Sequence, residues 1–192
     1  VLGLVKRGYI DYVAREKKKI TDIRQISPID STFDGFRVTG YYYADYFNEN
    51  IDFIKRLQPE VTRIAFCYDD RYAHDFFEPY LSQLVASHPP LELDYLVGSR
   101  LSIQELLKSI FAMDSSYALL TGGWYTDRNR YPHAYSMLHN ELTRHSTKNM
   151  YQLQEQDLTE ANYIGGYFVS GKELGRDIAG LTYSVLTEGI EN

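Results

Sequence analysis

The sequence contains one cysteine, Cys67, so no disulfide can form within the chain. One unpaired cysteine says little about the redox compartment, and inside a predicted strand it reads as a small buried hydrophobe. No apolar run approaches the ~20 residues that a membrane-spanning helix requires. Basic excess is also missing: the net charge is −6. The one basic run, Arg15 to Lys19, contains Glu16 and reads as a solvated helix face. Nucleic acid is therefore not an expected partner, because phosphate binding needs a concentrated basic surface. No signal peptide is visible, but Val1 is not a natural translation start, so a leader or membrane segment upstream stays open.

Several catalytic signatures are absent. The chain has no GxGxxG fingerprint, no GxxxxGK phosphate loop ending in Ser or Thr, and no GxSxG nucleophile elbow. Of the five histidines, His133, His139 and His145 are spaced by six residues, about 240° apart on a helix, so they do not converge on a metal. Glu155 and Asp157 form an acidic loop, which is more often solvated than catalytic. Asp69-Asp70 after a strand resembles the acidic pair of phosphorylated receiver domains. Those also need an aspartate after the third strand, where this chain has Thr121-Gly122-Gly123. A flavin mononucleotide site would want a glycine- and hydroxyl-rich loop where Tyr68 to Tyr72 reads YDDRY. No enzymatic activity, cofactor or metal is expected.

What is present is a core and a great deal of tyrosine. Hydrophobic residues make up 44% of 192 residues and charged residues 24%, enough for a sizeable buried interior. The 18 tyrosines combine broad apolar contact with a polar tip, which suits both binding surfaces and the edge of a core. The first thirty-five residues punctuate poorly; Val1 to Ile20 is compatible with a helix, and Phe36 to Tyr43 with a strand. From Asp45 the pattern becomes regular. Phe47, Ile51 and Ile54 mark a helix that Gln58-Pro59 stops. Strands are expected at Val61–Tyr68, Leu91–Val97, Tyr117 to Leu120 running into Gly122-Gly123, Met150–Leu153 and Tyr163–Val169. Helices alternate with them over 71–87, from Ser102, over 131–145 and from Ser170. Ser102 with Glu105, and Ser170 with Glu173, have capping-box spacing. Gly165-Gly166 predicts a bulge or close backbone approach.

This alternation implies an α/β fold, doubly wound, with a mostly parallel five-stranded sheet of order 2-1-3-4-5. In such a sheet a crevice opens above the carboxyl ends of the first and third strands. Those ends carry Asp69 and Asp70 on one side and Gly123, Trp124 and Tyr125 on the other. Trp124 and Tyr125 are expected to form an exposed stacking surface, with Gly122 and Gly123 letting backbone N–H groups approach a ligand.

Three stretches carry a family resemblance. Arg37 to Asp70 reads RVTGYYYADYFNENIDFIKRLQPEVTRIAFCYDD, Thr121 to Asp127 follows the third strand, and Asn149 to Gly189 ends in GGYFVSGKELGRDIAGLTYSVLTEG. Together they resemble the substrate-binding proteins of ABC transporters for aromatic amino acids, with ELGR at Glu173 to Arg176 the most specific match. Similar domains serve as extracytoplasmic sensor modules of bacterial histidine kinases. The resemblance implies a periplasmic-binding-protein-like lobe over residues 36–192, preceded over 1–35 by the tail of another lobe or a linker. It implies ligand contacts at Asp69, Asp70, Gly123, Trp124, Tyr125, Gln154 and Glu155. The acidic YDDRY replaces the family's hydroxyl-rich loop, which implies a changed ligand or loss of binding. The expected function is small-molecule sensing for a membrane-bound two-component signalling protein, with an aromatic or amino-acid-like ligand. The alternatives are a transporter's substrate-binding component, a receiver- or flavodoxin-like protein, and a pure interaction module. Membrane contact is expected only through segments outside this chain, and a homodimer stays open.

Overall fold

The structure, a computed structural model, describes residues 2–5, 39–42, 46–68, 77–146, 148–153, 155 and 163–188. It divides into two compact units, one of Val1–Asp45 with Val169–Asn192 and one of Tyr46–Phe168. The larger unit begins at Tyr46, and the C-terminal helix belongs to the smaller one.

In the smaller unit, β1 (Leu2–Val5) pairs in parallel with β2 (Thr39–Tyr42). Leu2–Val5 is therefore a strand and not the start of a helix, because a parallel partner at 39–42 outweighs local propensity. The helix that closes the described chain, Gly171–Glu188, lies against this pair. Glu173 donates its backbone N–H to Ser170 Oγ at 3.5 Å, as the capping spacing predicts.

The larger unit opens with α1 (Phe47–Leu57) and continues with β3 (Arg63–Tyr68), α2 (Phe77–Ala86), β4 (Glu92–Val97), α3 (Ile103–Phe111), β5 (Tyr117–Gly123), α4 (Tyr135–His145), β6 (Met150–Gln152) and β7 (Tyr163–Gly165). The C-terminal helix of the smaller unit, next in chain order, is α5. The five strands β3 to β7 form one sheet of order β4-β3-β5-β6-β7, parallel throughout. This is the doubly wound 2-1-3-4-5 arrangement that the alternation predicts.

Alternation along the strands divides the core between two faces. On one, Phe66 packs edge-on to Phe47 of α1 and stacks on Tyr68, with ring centroids 5.5 and 4.7 Å apart. Tyr151 meets Phe53 of α1 edge-on at 5.9 Å. Several of the tyrosines thus sit in the interior, and their hydroxyls are partnered. Tyr68 Oη donates to Glu78 of α2 at 2.6 Å, and Tyr151 Oη to Gln58 at 2.8 Å. Burial above all, helped by the neighbouring Glu60, pushes the Tyr151 phenol up to about 12. The opposite face is mainly aliphatic: Ala65, Cys67, Leu119 and Met150 pack with Leu106 and Ile110 of α3 and Leu138 and Leu142 of α4. Ser102 and Glu105 form the expected capping box, Ser102 N donating to Glu105 Oε2 at 2.9 Å and Glu105 N to Ser102 Oγ at 3.3 Å. Phe111, the last residue of α3, is exposed.

One residue closes the larger unit. Asn50 is fully buried on the inner face of α1. Its Nδ2 donates to Tyr46 O and to Tyr167 O, both at 2.8 Å, and its Oδ1 accepts from Tyr167 N at 2.9 Å. A single carboxamide therefore ties the first residue of the unit to the segment after its last strand. It also steadies Tyr46, whose φ of 46° is left-handed and strained for a non-glycine residue. Asn50→Ala is expected to lower stability by ~2 kcal/mol, since it strips partners from one N–H and two carbonyls. Asn50→Asp keeps the acceptor, loses both donated bonds and buries a charge, so it should do no better. Urea denaturation of the two variants checks this, and losses within experimental error would show that Asn50 holds nothing.

Candidate functional site

The carboxyl ends of β3 and β5 are neighbours, and the chain leaves β3 toward β4 on one side and β5 toward β6 on the other. The expected switch point is therefore present. Asp69, Asp70 and Gln154 lie outside the described residues. Glu155 is exposed.

Gly123 ends β5 with a φ of +102°, where side chains other than glycine are strained. Tyr125, half-buried, folds back so that its ring fills the space a Cβ on Gly123 would need, 2.8 Å away. Gly122 yields its side-chain space to the Phe66 ring, 2.9 Å from where its Cβ would stand. Both glycines are thus accounted for by packing.

Trp124 corrects the expectation most. It is 1% exposed and belongs to the aliphatic cluster under α3 and α4. It is not a surface ring stacked in a crevice. The turn at Gly123 carries the chain so that the next side chain points back into the core, and burying the largest apolar group of the loop outweighs displaying it. Its indole Nε1 is enclosed without a hydrogen-bond partner among the described residues.

The rest of the loop is held internally. Asp127, buried, accepts from the backbone N–H groups of Asn129 at 2.8 Å and Tyr131 at 3.1 Å. His133 Nε2 lies 3.3 Å from Asp127 Oδ2, and His133 N donates to Tyr125 O at 2.8 Å. Burial alone would raise the Asp127 carboxyl, but the Tyr131 N–H, His133 and the Asn129 N–H outweigh it and hold the group below its ordinary value. Thr126 bridges Pro132 in antiparallel fashion, which ties up the chain before Tyr135. For that reason α4 starts at Tyr135 and not at Tyr131.

Gln152, the last residue of β6, was not singled out in the sequence. It is 1% exposed, and neither Oε1 nor Nε2 has a hydrogen-bond partner among the described residues. The only signal was its place, a polar residue ending an apolar strand two positions before the expected contact Gln154. His139 of α4 is buried as well, its ring stacked on Tyr163 with centroids 4.6 Å apart.

At the opposite edge of the sheet, Arg63, Asp94 and Tyr117 form a self-contained cluster. The guanidinium meets Asp94 at 3.0 Å and lies over the Tyr117 ring, whose hydroxyl donates to the same carboxylate at 2.8 Å. The Asp94 carboxylate thus serves both the Arg63 guanidinium and the Tyr117 hydroxyl. Among the described residues no three His, Cys, Asp or Glu side chains converge as metal ligands, and no helix is long and apolar enough to cross a membrane. Comparison with family models, curated proteins and solved structures returns no significant match.

Proposed function

We propose that this chain is an extracytoplasmic small-molecule-binding sensor module of a membrane-bound signalling protein, of the two-component histidine kinase type. The observation that carries the reading is the sheet order β4-β3-β5-β6-β7, which reverses between β3 and β5; in open α/β sheets ligands bind at the carboxyl ends of the strands at such a reversal. The loop after β5, internally hydrogen-bonded and anchored by Trp124, gives that edge one preorganised wall. The resemblance of Arg37–Asp70 and Asn149–Gly189 to transporter-type binding proteins supports the same reading. In this mechanism the ligand acts through different affinity for two conformations of the receptor, which the rest of the protein reads. The transporter component differs from the sensor in what adjoins the chain, and the full gene decides between them by encoding, or not, a transmembrane helix and kinase downstream.

Binding itself is tested by a thermal-shift screen of amino acids, nucleobases and sugars. A ligand at a hundred times its dissociation constant is expected to add ~2.7 kcal/mol to stability, a rise of roughly 5–10 °C for a chain of this size. If no compound stabilises the chain or a form extended to its full extracytoplasmic region, a pure interaction module replaces the sensor.

A further inference from the structure

We propose that the Gln152 carboxamide, with the Trp124 indole N–H beside the same sheet edge, anchors a neutral ligand carrying a cyclic amide or imide edge. The inference rests on the sensor reading and names the chemistry of its ligand. Gln152 shares a strand face with Met150, which packs in the cluster that contains Trp124, Leu138 and Leu142. Both polar groups therefore belong to the α3–α4 side of the sheet, at the carboxyl ends of adjacent strands. Buried polar groups in native proteins are almost always paired, and a buried group left without a partner destabilises the fold. Here three side-chain atoms near one edge, Gln152 Oε1, Gln152 Nε2 and Trp124 Nε1, all lack one among the described residues. The register neighbour of Gln152 has no proton left for its Oε1, because Thr121 Oγ1 donates to Tyr151 O at 3.1 Å.

The chemistry of the three atoms selects the ligand. A carboxamide presents one acceptor beside two donors, which matches an N–H next to a C=O. The indole supplies one more donor, which suits a second carbonyl. The cluster on this face is apolar, so an ionised carboxylate would be costly to bury against it. A small neutral ring with a lactam or imide edge satisfies all three atoms. Because these atoms are shut from solvent, binding requires local opening, and association should be slower than for an open cleft.

The test uses titration calorimetry and thermal shift with uracil and hydantoin as probes, and 1,3-dimethyluracil as the control without an N–H. Wild type is expected to bind the first two and not the third. Gln152→Met should raise the melting temperature of the unliganded chain, because an unpaired polar group is gone, and weaken probe binding at least tenfold. Gln152→Glu keeps the shape and loses the donors, so it should also abolish binding. Trp124→Phe, which keeps a ring and removes the N–H, should weaken binding several-fold. A compound from the broader screen that binds Gln152→Met and Gln152→Glu as tightly as wild type overturns this inference and leaves the sensor reading standing. A lowered melting temperature in Gln152→Met with unchanged binding also overturns it, because the carboxamide would then hold only a buried water. Absence of binding by every compound in both sets overturns the two readings together.

Discussion

Replacing Trp124 by alanine is expected to lower the unfolding free energy by about 3–5 kcal/mol, one of the largest losses a single substitution can produce in this chain. The residue is 1% exposed and packs in the cluster formed by Leu106 and Ile110 of α3, Leu138 and Leu142 of α4, and Met150 of β6. Those helices cover the sheet from separate stretches of chain, and the indole is among the groups that fill the space at their sheet edge. Truncation removes the transfer free energy of a large ring and leaves a void whose walls belong to three elements, so relaxation can recover only part of it. Trp124→Phe keeps most of the volume and should lose much less. Urea denaturation followed by circular dichroism measures both variants; tryptophan fluorescence cannot, because Trp124 is the sole tryptophan. A loss below ~1 kcal/mol for the alanine variant would return Trp124 to the surface role that its position after Gly-Gly suggests.

The contrast between that suggestion and the burial of Trp124 defines what a linear sequence can convey. Strand positions, helix faces and the parallel sheet order were legible because period and alternation are local properties that burial imposes on every element. Leu106 and Ile110 of α3 and Ile51 and Ile54 of α1 lie where the spacing put them. The Ser102–Glu105 cap was legible for the same reason, since both partners sit within one turn. The switch point between β3 and β5 followed from topology alone. The direction of a side chain after a positive-φ glycine did not, because one backbone angle at Gly123 decides whether residue 124 faces water or core. Asn50 was hidden differently. It stands three residues after Phe47 and beside Ile51, inside an apolar stripe, and its partner Tyr167 is far along the chain. Gln152 ends a strand of only three residues, too short to show a polar interruption as significant. Each of these features depends on a partner or a dihedral angle that no window of sequence contains.

Gly166→Ala is expected to cost on the order of 3 kcal/mol, near the upper end for overpacking, although it adds a single methyl group. A Cβ at this position would stand 2.0 Å from Gln152 O and 3.0 Å from Asn50 Oδ1. The first neighbour is backbone at the end of β6, so no rotamer change relieves the clash. Either β7 moves off β6 or the chain after Gly165 is displaced. The second route pulls Tyr167 away from Asn50, which holds both the N–H and the carbonyl of that residue at 2.9 and 2.8 Å. The ladder between Met150 and Tyr163 is already irregular, shifting register before Tyr151 meets Gly165, so the edge strand has few bonds to lose before it detaches. The glycine pair thus serves close approach: Gly165 takes a φ of +140° and Gly166 lies against the neighbouring carbonyl. Gly175→Ala on α5, where a Cβ meets nothing within 4 Å, is the matched control and should be neutral or slightly stabilising, since alanine is the better helix former. Chemical denaturation ranks the two substitutions, and hydrogen exchange at Tyr163 to Tyr167 should report loss of protection in Gly166→Ala before the rest of the sheet opens. Equal stability of the two variants would mean that the β6–β7 edge tolerates separation and that Asn50 alone keeps the unit closed.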